Sequence, residues 1–239
     1  MTKIIFKIIL QALLMLSIQS ASYAKSEKLQ DVLTKEEQDK LTPDEVIKIF
    51  KDGNKRFVKG DKTVRDHNYQ IRKTVDGQYP KAIVLSCVDS RVPVEDVFDM
   101  GIGDIFVARV AGNFVNNDIL GSMEFATKVA GAKLILVLGH EHCGAVKAAI
   151  DDVNIGNIKY LTKNISPAVK KAKDSYEGEY SSKNPEFVHE VCEHNIINAI
   201  NQIRSKSKII KDLDDSGAIK ISGAIYDMDS GKVDFLTDM

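Results

Sequence analysis

Two short segments of this 239-residue chain concentrate side chains that bind metals. Cys87 and Asp89 lie two residues apart, and His140 and Cys143 lie three apart. Thiolate, imidazole and carboxylate groups are the donors that Zn²⁺ takes in proteins, whereas calcium and magnesium require sets of oxygen atoms. The donor types therefore favour a zinc site. The alternative is that each cysteine and histidine is an ordinary buried core residue.

Each of these pairs follows a short, continuous apolar run. Residues 82–85 precede Cys87, residues 134–138 precede His140, and residues 105–107 form a third run. Runs of this kind indicate strands that are covered on both faces. Ligands collect outside the carboxyl ends of parallel strands. We therefore expect the two pairs to meet in one crevice.

The remaining segments predict the layers around these strands. Helical stretches at residues 120–129 and 145–150 alternate with the runs, and Asn184-Pro185 begins a third helix. Residues 219–226 alternate as a strand, and residues 233–235 return along it after a turn. The predicted fold class is α/β, with a mainly parallel central sheet, flanking helices and an antiparallel edge strand.

The chain divides by composition into three parts. Residues 80–239 form the predicted zinc-binding α/β core, and residues 25–79 form a polar helical arm. Within the arm, Thr42 and Glu45 form a capping box, while Gly53 weakens the prediction of one unbroken helix. We expect the arm to pack on a neighbour instead of forming its own core.

Residues 1–24 have the order of a secretory signal peptide. Lys3 and Lys7 precede an apolar stretch at residues 8–16, and Ser22-Tyr23-Ala24 offers a cleavage site. An uncleaved anchor is the alternative, but spanning a bilayer takes about 20 apolar residues. We expect cleavage after Ala24 and a periplasmic protein without further membrane contact. The net charge of −1 gives no reason to expect nucleic acid as a partner.

The chain has only three cysteines, namely Cys87, Cys143 and Cys192, and an odd number cannot all pair within one chain. Metal binding is one reason for an exported protein to keep free cysteines, because it occupies the reactive thiolate. His189, Cys192 and His194 offer a second cluster, but a core-facing Cys192 on an amphipathic helix is the preferred interpretation. His142 is interpreted as a loop histidine, with metal binding or proton relay as alternatives.

The residues around both metal-binding pairs resemble the β-class carbonic anhydrases. Cys-x-Asp-Ser-Arg at residues 87–91 and His-x-x-Cys at residues 140–143 occur in the order and spacing of that family. The resemblance extends through further segments, at residues 103–113, 122–126 and 223–227.

The resemblance implies a role for each matching position. Cys87, His140 and Cys143 match the permanent zinc ligands, with one zinc ion per subunit. Asp89 matches a switch residue that either pairs with Arg91, leaving a zinc position for water, or binds the metal and blocks catalysis. The implied reaction is the reversible hydration of carbon dioxide to bicarbonate. Gly112 matches a loop beside the cleft and is expected to contact substrate; the alternative is a turn that needs a small residue.

The resemblance also implies a homodimer or homotetramer, and it leaves rival functions open. The same zinc site serves carbon disulfide or carbonyl sulfide hydrolysis in relatives. A non-catalytic zinc protein would keep Asp89 on the metal, and a cysteine-nucleophile hydrolase would need a free Cys87. Some relatives have a regulatory bicarbonate site with a tryptophan where this chain has Val84, so we expect no such regulation. Arg109 matches the arginine of that site, but on its own it is interpreted as a structural residue.

Overall fold

The computed structural model describes residues 30–236, so the expected signal peptide at residues 1–24 lies outside the described residues. The five strands of one sheet are β1 (Ala82–Ser86), β2 (Ile105–Arg109), β3 (Leu134–His140), β4 (Lys220–Tyr226) and β5 (Val233–Phe235). Their order across the sheet is β2-β1-β3-β4-β5. The first four are parallel and β5 runs antiparallel to β4. This confirms the predicted α/β fold and its edge strand.

The helices cover both faces of this sheet. They are α1 (Lys35–Lys40), α2 (Pro43–Lys59), α3 (His67–Lys73), α4 (Val94–Val97), α5 (Asn117–Glu124), α6 (Gly144–Ile150), α7 (Ile158–Ser175), α8 (Pro185–Lys206) and α9 (Lys208–Asp215). A π-helical segment, Phe125–Val129, continues α5. Within the described part of the chain, no helix has the length and apolar character needed to cross a bilayer.

Alternate residues of the central strands point to opposite faces, as the pleat of a strand requires. Ile83 and Leu85 of β1 lie in a core cluster with residues of α8 and α9, such as Ile200 and Ile210. Val84, between them, lies in the core cluster on the other face of the sheet, which includes residues of α2 and α4. The apolar runs are continuous because helices bury both faces of the sheet.

The helical arm joins the core of its own chain. Val46 and Phe50 of α2 are fully buried in that second cluster. The predicted capping box of Thr42 and Glu45 begins α2. The helix runs unbroken through Gly53, and an added Cβ at this position would clash with the Phe98 carbonyl oxygen. The glycine therefore permits close packing and does not end the helix.

Candidate metal centre

Three buried donor atoms converge at the carboxyl ends of β1 and β3. The donor atoms of Cys87, His140 and Cys143 all lie within 4.8 Å of one another. Cys87 directly follows β1, His140 is the last residue of β3, and Cys143 immediately precedes α6. Because β1 and β3 are parallel neighbours, their ends lie at the same edge of the sheet. The predicted meeting of the two sequence pairs is confirmed for these three residues.

The loop between His140 and Cys143 turns sharply. His142 has a φ of +55°, in the left-handed region that histidine enters more readily than most residues. The Glu141 N–H donates to the Tyr226 carbonyl oxygen at 3.1 Å and fixes the start of the loop against β4. The turn allows the imidazole at the end of β3 and the thiol before α6 to face the same point.

One nitrogen of the His140 ring is already committed to the backbone. Nδ1 lies 2.8 Å from the Glu141 carbonyl oxygen, an acceptor, so Nδ1 must carry the proton and donate. That tautomer leaves a lone pair on Nε2, which is buried and has no hydrogen-bond partner among the described residues. An oriented imidazole with a free, buried lone pair is the arrangement found in metal sites.

The two sulfur atoms share a polar environment that favours one negative charge. The pKa of Cys87 is lowered to about 4, mainly by its hydrogen bond with Cys143 and with help from the Gly112 N–H, against the effect of burial. The pKa of Cys143 is raised, first by that same hydrogen bond and then by burial. The first proton therefore leaves easily and the second does not. A divalent cation would replace both, since metal ions bind thiolates.

This donor set fits zinc. Two sulfurs and one imidazole are a known ligand set of catalytic zinc, which retains a fourth position for solvent or substrate. None of the three cysteines, all of which belong to the described residues, is in a disulfide. The absence of disulfides among these cysteines agrees with the expectation that the thiols stay free.

Asp89 stands apart from the three donors and binds Arg91. Arg91 Nε donates to Oδ1 at 3.0 Å and Nη2 donates to Oδ2 at 2.8 Å. This two-point contact is the main reason that the pKa of Asp89 falls to about 2. Binding of Asp89 to the metal in a blocked state stays a prediction, because here its carboxylate is held by the guanidinium.

Arg109 of β2 fixes the backbone of the loop that carries Cys87 and Asp89. Its Nε donates to the Cys87 carbonyl oxygen at 2.9 Å, and its Nη2 donates to the Asp89 carbonyl oxygen at 2.7 Å. The sequence suggested no more than a structural arginine at this position. The contacts specify that role, because Arg109 holds the loop that presents a donor and its neighbouring carboxylate.

Gly112 supports the sulfur of Cys87 through its backbone. Its N–H donates to Cys87 Sγ at 3.3 Å, and its carbonyl oxygen accepts from Asn195 Nδ2 at 2.8 Å. The residue has a φ of +81°, and an added Cβ would lie 2.5 Å from Ile165 Cδ1. These contacts explain the glycine as a small residue in a crowded turn. Contact between Gly112 and substrate stays a prediction.

Comparisons with known proteins identify the family of this chain. The family model described as "Carbonic anhydrase" matches residues 82–233, which is more than half of the chain and includes all three donors. The chain belongs to the β-class carbonic anhydrases. "Carbonic anhydrase 2" of Mycobacterium tuberculosis is 32% identical over 191 residues, covering 77% of this chain and 88% of that protein.

Solved structures share the fold of this β-class member. A β-carbonic anhydrase of Coccomyxa in complex with acetazolamide is 26% identical, with a TM-score of 0.62 over 69% of this chain and 75% of that one. A tetrameric β-carbonic anhydrase of Sordaria macrospora is 23% identical, with a TM-score of 0.63 over 70% of this chain and 86% of that one. The second likeness concerns the fold alone.

The second cluster considered from the sequence does not assemble around Cys192. Cys192 is buried, its thiol donates to the His140 carbonyl oxygen at 3.4 Å, and burial raises its pKa to about 12. His189 instead faces Glu141 and Glu193, while His194 faces Glu190. The preferred interpretation of Cys192 as a core-facing residue agrees with this burial.

Proposed function

We propose that this chain catalyses the zinc-dependent, reversible hydration of carbon dioxide to bicarbonate and a proton, with Cys87, His140 and Cys143 as the zinc ligands. The observation that carries the proposal is the convergence of two thiols and an imidazole whose buried Nε2 has no partner among residues 30–236. Asp89, two residues after Cys87, is already paired with Arg91. Family membership supports the same reaction.

When bound, zinc makes water acidic enough to supply a nucleophile near neutral pH, as is known for carbonic anhydrases themselves. The chain's own residues prepare the site for this. Arg91 keeps Asp89 ionised and turned away from the sulfurs, so that its carboxylate can accept a hydrogen bond from the nucleophile. Arg109 holds the loop of Asp89, and the Gly112 N–H stabilises the Cys87 sulfur.

The decisive experiment measures metal content and carbon dioxide hydration on the same purified protein. We expect one zinc per chain and hydration in stopped flow that rises with pH and disappears when the metal is removed by a chelator. His140→Ala should lose both zinc and activity. Hydration by a protein without stoichiometric metal would contradict the proposal, and so would full zinc without hydration at any pH.

The rival functions make different predictions for the same preparation. A cysteine-nucleophile hydrolase would retain activity after chelation, and a carbon disulfide or carbonyl sulfide hydrolase would turn over those substrates and not carbon dioxide. A non-catalytic zinc protein needs Asp89 on the metal at all pH values. The bidentate contact between Asp89 and Arg91 supports the open site that hydration requires.

We also propose that the protein is exported to the periplasm and that residues 1–24 are removed. The charged start, the apolar stretch and Ser22-Tyr23-Ala24 support this. Residues 25–239 would then form the mature enzyme. Cell fractionation with mass spectrometry of the mature amino terminus tests the proposal. A cytoplasmic protein that retains Met1 would contradict it.

We propose in addition that the chain forms a homodimer or a homotetramer through the free side of β2. This strand lies at the edge of the sheet, so one row of its backbone groups has no neighbouring strand within the described part of the chain. Phe125, which packs edge-on against Phe106 of β2, is exposed there. Light scattering should give a mass of two or four chains, and Phe125→Glu should lower it.

A further inference from the structure

A second group of potential metal ligands lies at the rim of the proposed zinc site. Donor atoms of Glu141, His142 and Asp229 all lie within 4.8 Å of one another. They come from two separate segments, namely the loop after β3 and the turn between β4 and β5. The two segments lie side by side because β3 and β4 stay paired up to His140 and Tyr226, immediately before both segments.

We infer that Glu141, His142 and Asp229 form a second binding site for a divalent transition metal such as Zn²⁺, separate from the thiolate site. The set has one imidazole and two carboxylates, which suits Zn²⁺, Co²⁺ or Ni²⁺. Two of the donor atoms belong to carboxylates whose negative charges repel each other, and a cation between them would relieve that repulsion.

Two further features lie beside these ligands. His189 Nδ1 of α8 lies 3.4 Å from Glu141 Oε1, and His189 Nε2 lies 3.6 Å from Glu193 Oε1. His189 is therefore placed to act as an outer partner of Glu141 once a metal binds, and such partners orient metal ligands. The Asp229 N–H donates to Asp227 Oδ1 at 2.8 Å, which fixes the turn while the Asp229 side chain stays exposed.

The site differs from the first in accessibility and chemistry. Glu141 and His142 are partly exposed and Asp229 is exposed, whereas the three donors of the first site are buried. The second site also has no sulfur ligand. A metal ion at the second site should therefore exchange freely with metal ions in solution, while the zinc ion at the first site stays bound through purification.

Titration of the purified one-zinc protein with Zn²⁺ in a calorimeter tests the second site. We expect one additional equivalent per chain. Asp229→Asn and His142→Gln should each weaken its binding at least about tenfold, because the loss of an outer partner alone can cost that much. Asp234→Asn is the matched control, since Asp234 is an exposed acid on the neighbouring strand β5. Both test variants should keep the first zinc.

Titration of the same one-zinc protein with Co²⁺ identifies the ligands. Cobalt at the second site should show weak ligand-field bands without the intense charge-transfer band that thiolate ligands give. That band would place the added cobalt on the cysteines of the first site and would overturn the inference. Absence of a second equivalent in the wild type would overturn the inference. So would a second equivalent that binds Asp229→Asn and His142→Gln as tightly as it binds the wild type.

Discussion

Asp89 and Asp99 are both ionised aspartates with a pKa of about 2, but different surroundings produce that value. Asp89 has one arginine partner, Arg91, whose side chain is 57% exposed. The Asp99 side chain is fully buried, and burial alone would raise its pKa. Hydrogen bonds from Arg65, Thr63 and Arg56 outweigh that effect.

The two environments suit different purposes. Asp99 follows α4, whereas Arg56 lies on α2 and Arg65 lies before α3, so this network ties the arm to the core. Breaking it would leave buried charge without a partner. The contact between Asp89 and Arg91 is local and open to water, so it can be released at little cost. An aspartate that exchanges one partner for another needs a local, solvent-exposed pair of this kind.

The largest effect is expected from Asp99→Asn. The substitution keeps the shape of the side chain but leaves Arg65, which is nearly buried, without its counter-charge. We expect a loss of about 3–5 kcal/mol in the free energy of unfolding, measured by urea denaturation. The control is Asp96→Asn, which breaks the exposed pair with Lys62 and should cost at most about 1 kcal/mol. Equal costs would remove the distinction between the two kinds of pair.

Asp89→Ala should have the opposite effect from Asp99→Asn, since it should leave stability nearly unchanged and lower the activity. We expect zinc content and unfolding midpoint close to those of the wild type, because the lost contact is solvent-exposed. Carbon dioxide hydration should fall at least about a hundredfold in kcat/KM, a typical value for loss of a group that handles protons in the reaction. Stopped-flow assays on protein of known zinc content measure this. Turnover like that of the wild type would show that Asp89 has no part in the reaction.

Acid should reveal the contribution of Asp99 to stability. Its folded pKa of about 2 lies below the ordinary value of 3.8, so the stabilisation is fully present above about pH 4. It is lost as the pH falls through the folded pKa. We expect about 2 kcal/mol of stability to disappear between pH 5 and pH 2. Unfolding measured across that range should show a shallower decline in Asp99→Asn, and a parallel decline would contradict the assignment.

The smallest effect is expected from Arg91→Lys. Lysine keeps the positive charge but cannot make the two-point contact that Arg91 makes with Asp89. We expect kcat/KM to fall about tenfold, equivalent to about 1.4 kcal/mol, with zinc retained. Stopped-flow kinetics of Arg91→Lys, compared with those of Asp89→Ala, measure how much of the role of the Asp89 carboxylate depends on Arg91. A loss as large as that of Asp89→Ala would mean that the guanidinium itself takes part in the reaction.

Local sequence patterns made the fold and the three candidate metal ligands predictable. Apolar runs marked β1, β2 and β3, and His140 and Cys143 followed one of them directly. The 18-residue helix α7 was not predicted, and Pro167 inside it obscures the pattern because proline usually ends a helix.

The supporting contacts could not be read from the sequence because they join distant positions. Asn195 lies 83 residues from Gly112, whose carbonyl it binds. Asp99 lies 34 and 43 residues from its two arginines. Asn, Asp and Arg are common on protein surfaces, so nothing in their local sequence marks them as buried partners. Only the folded chain shows which of them are paired.

Helix α8 supplies no metal ligand to the buried cluster, yet two of its side chains support the backbone around that cluster. Cys192 donates to the backbone of His140, and Asn195 donates to the backbone of Gly112, which in turn contacts the Cys87 sulfur. Transplanting only the two ligand-bearing loops into another α/β scaffold would leave these carbonyls unsupported. An engineered copy of the centre would have to include this helix, or a substitute that offers two hydrogen-bond donors at the same buried positions.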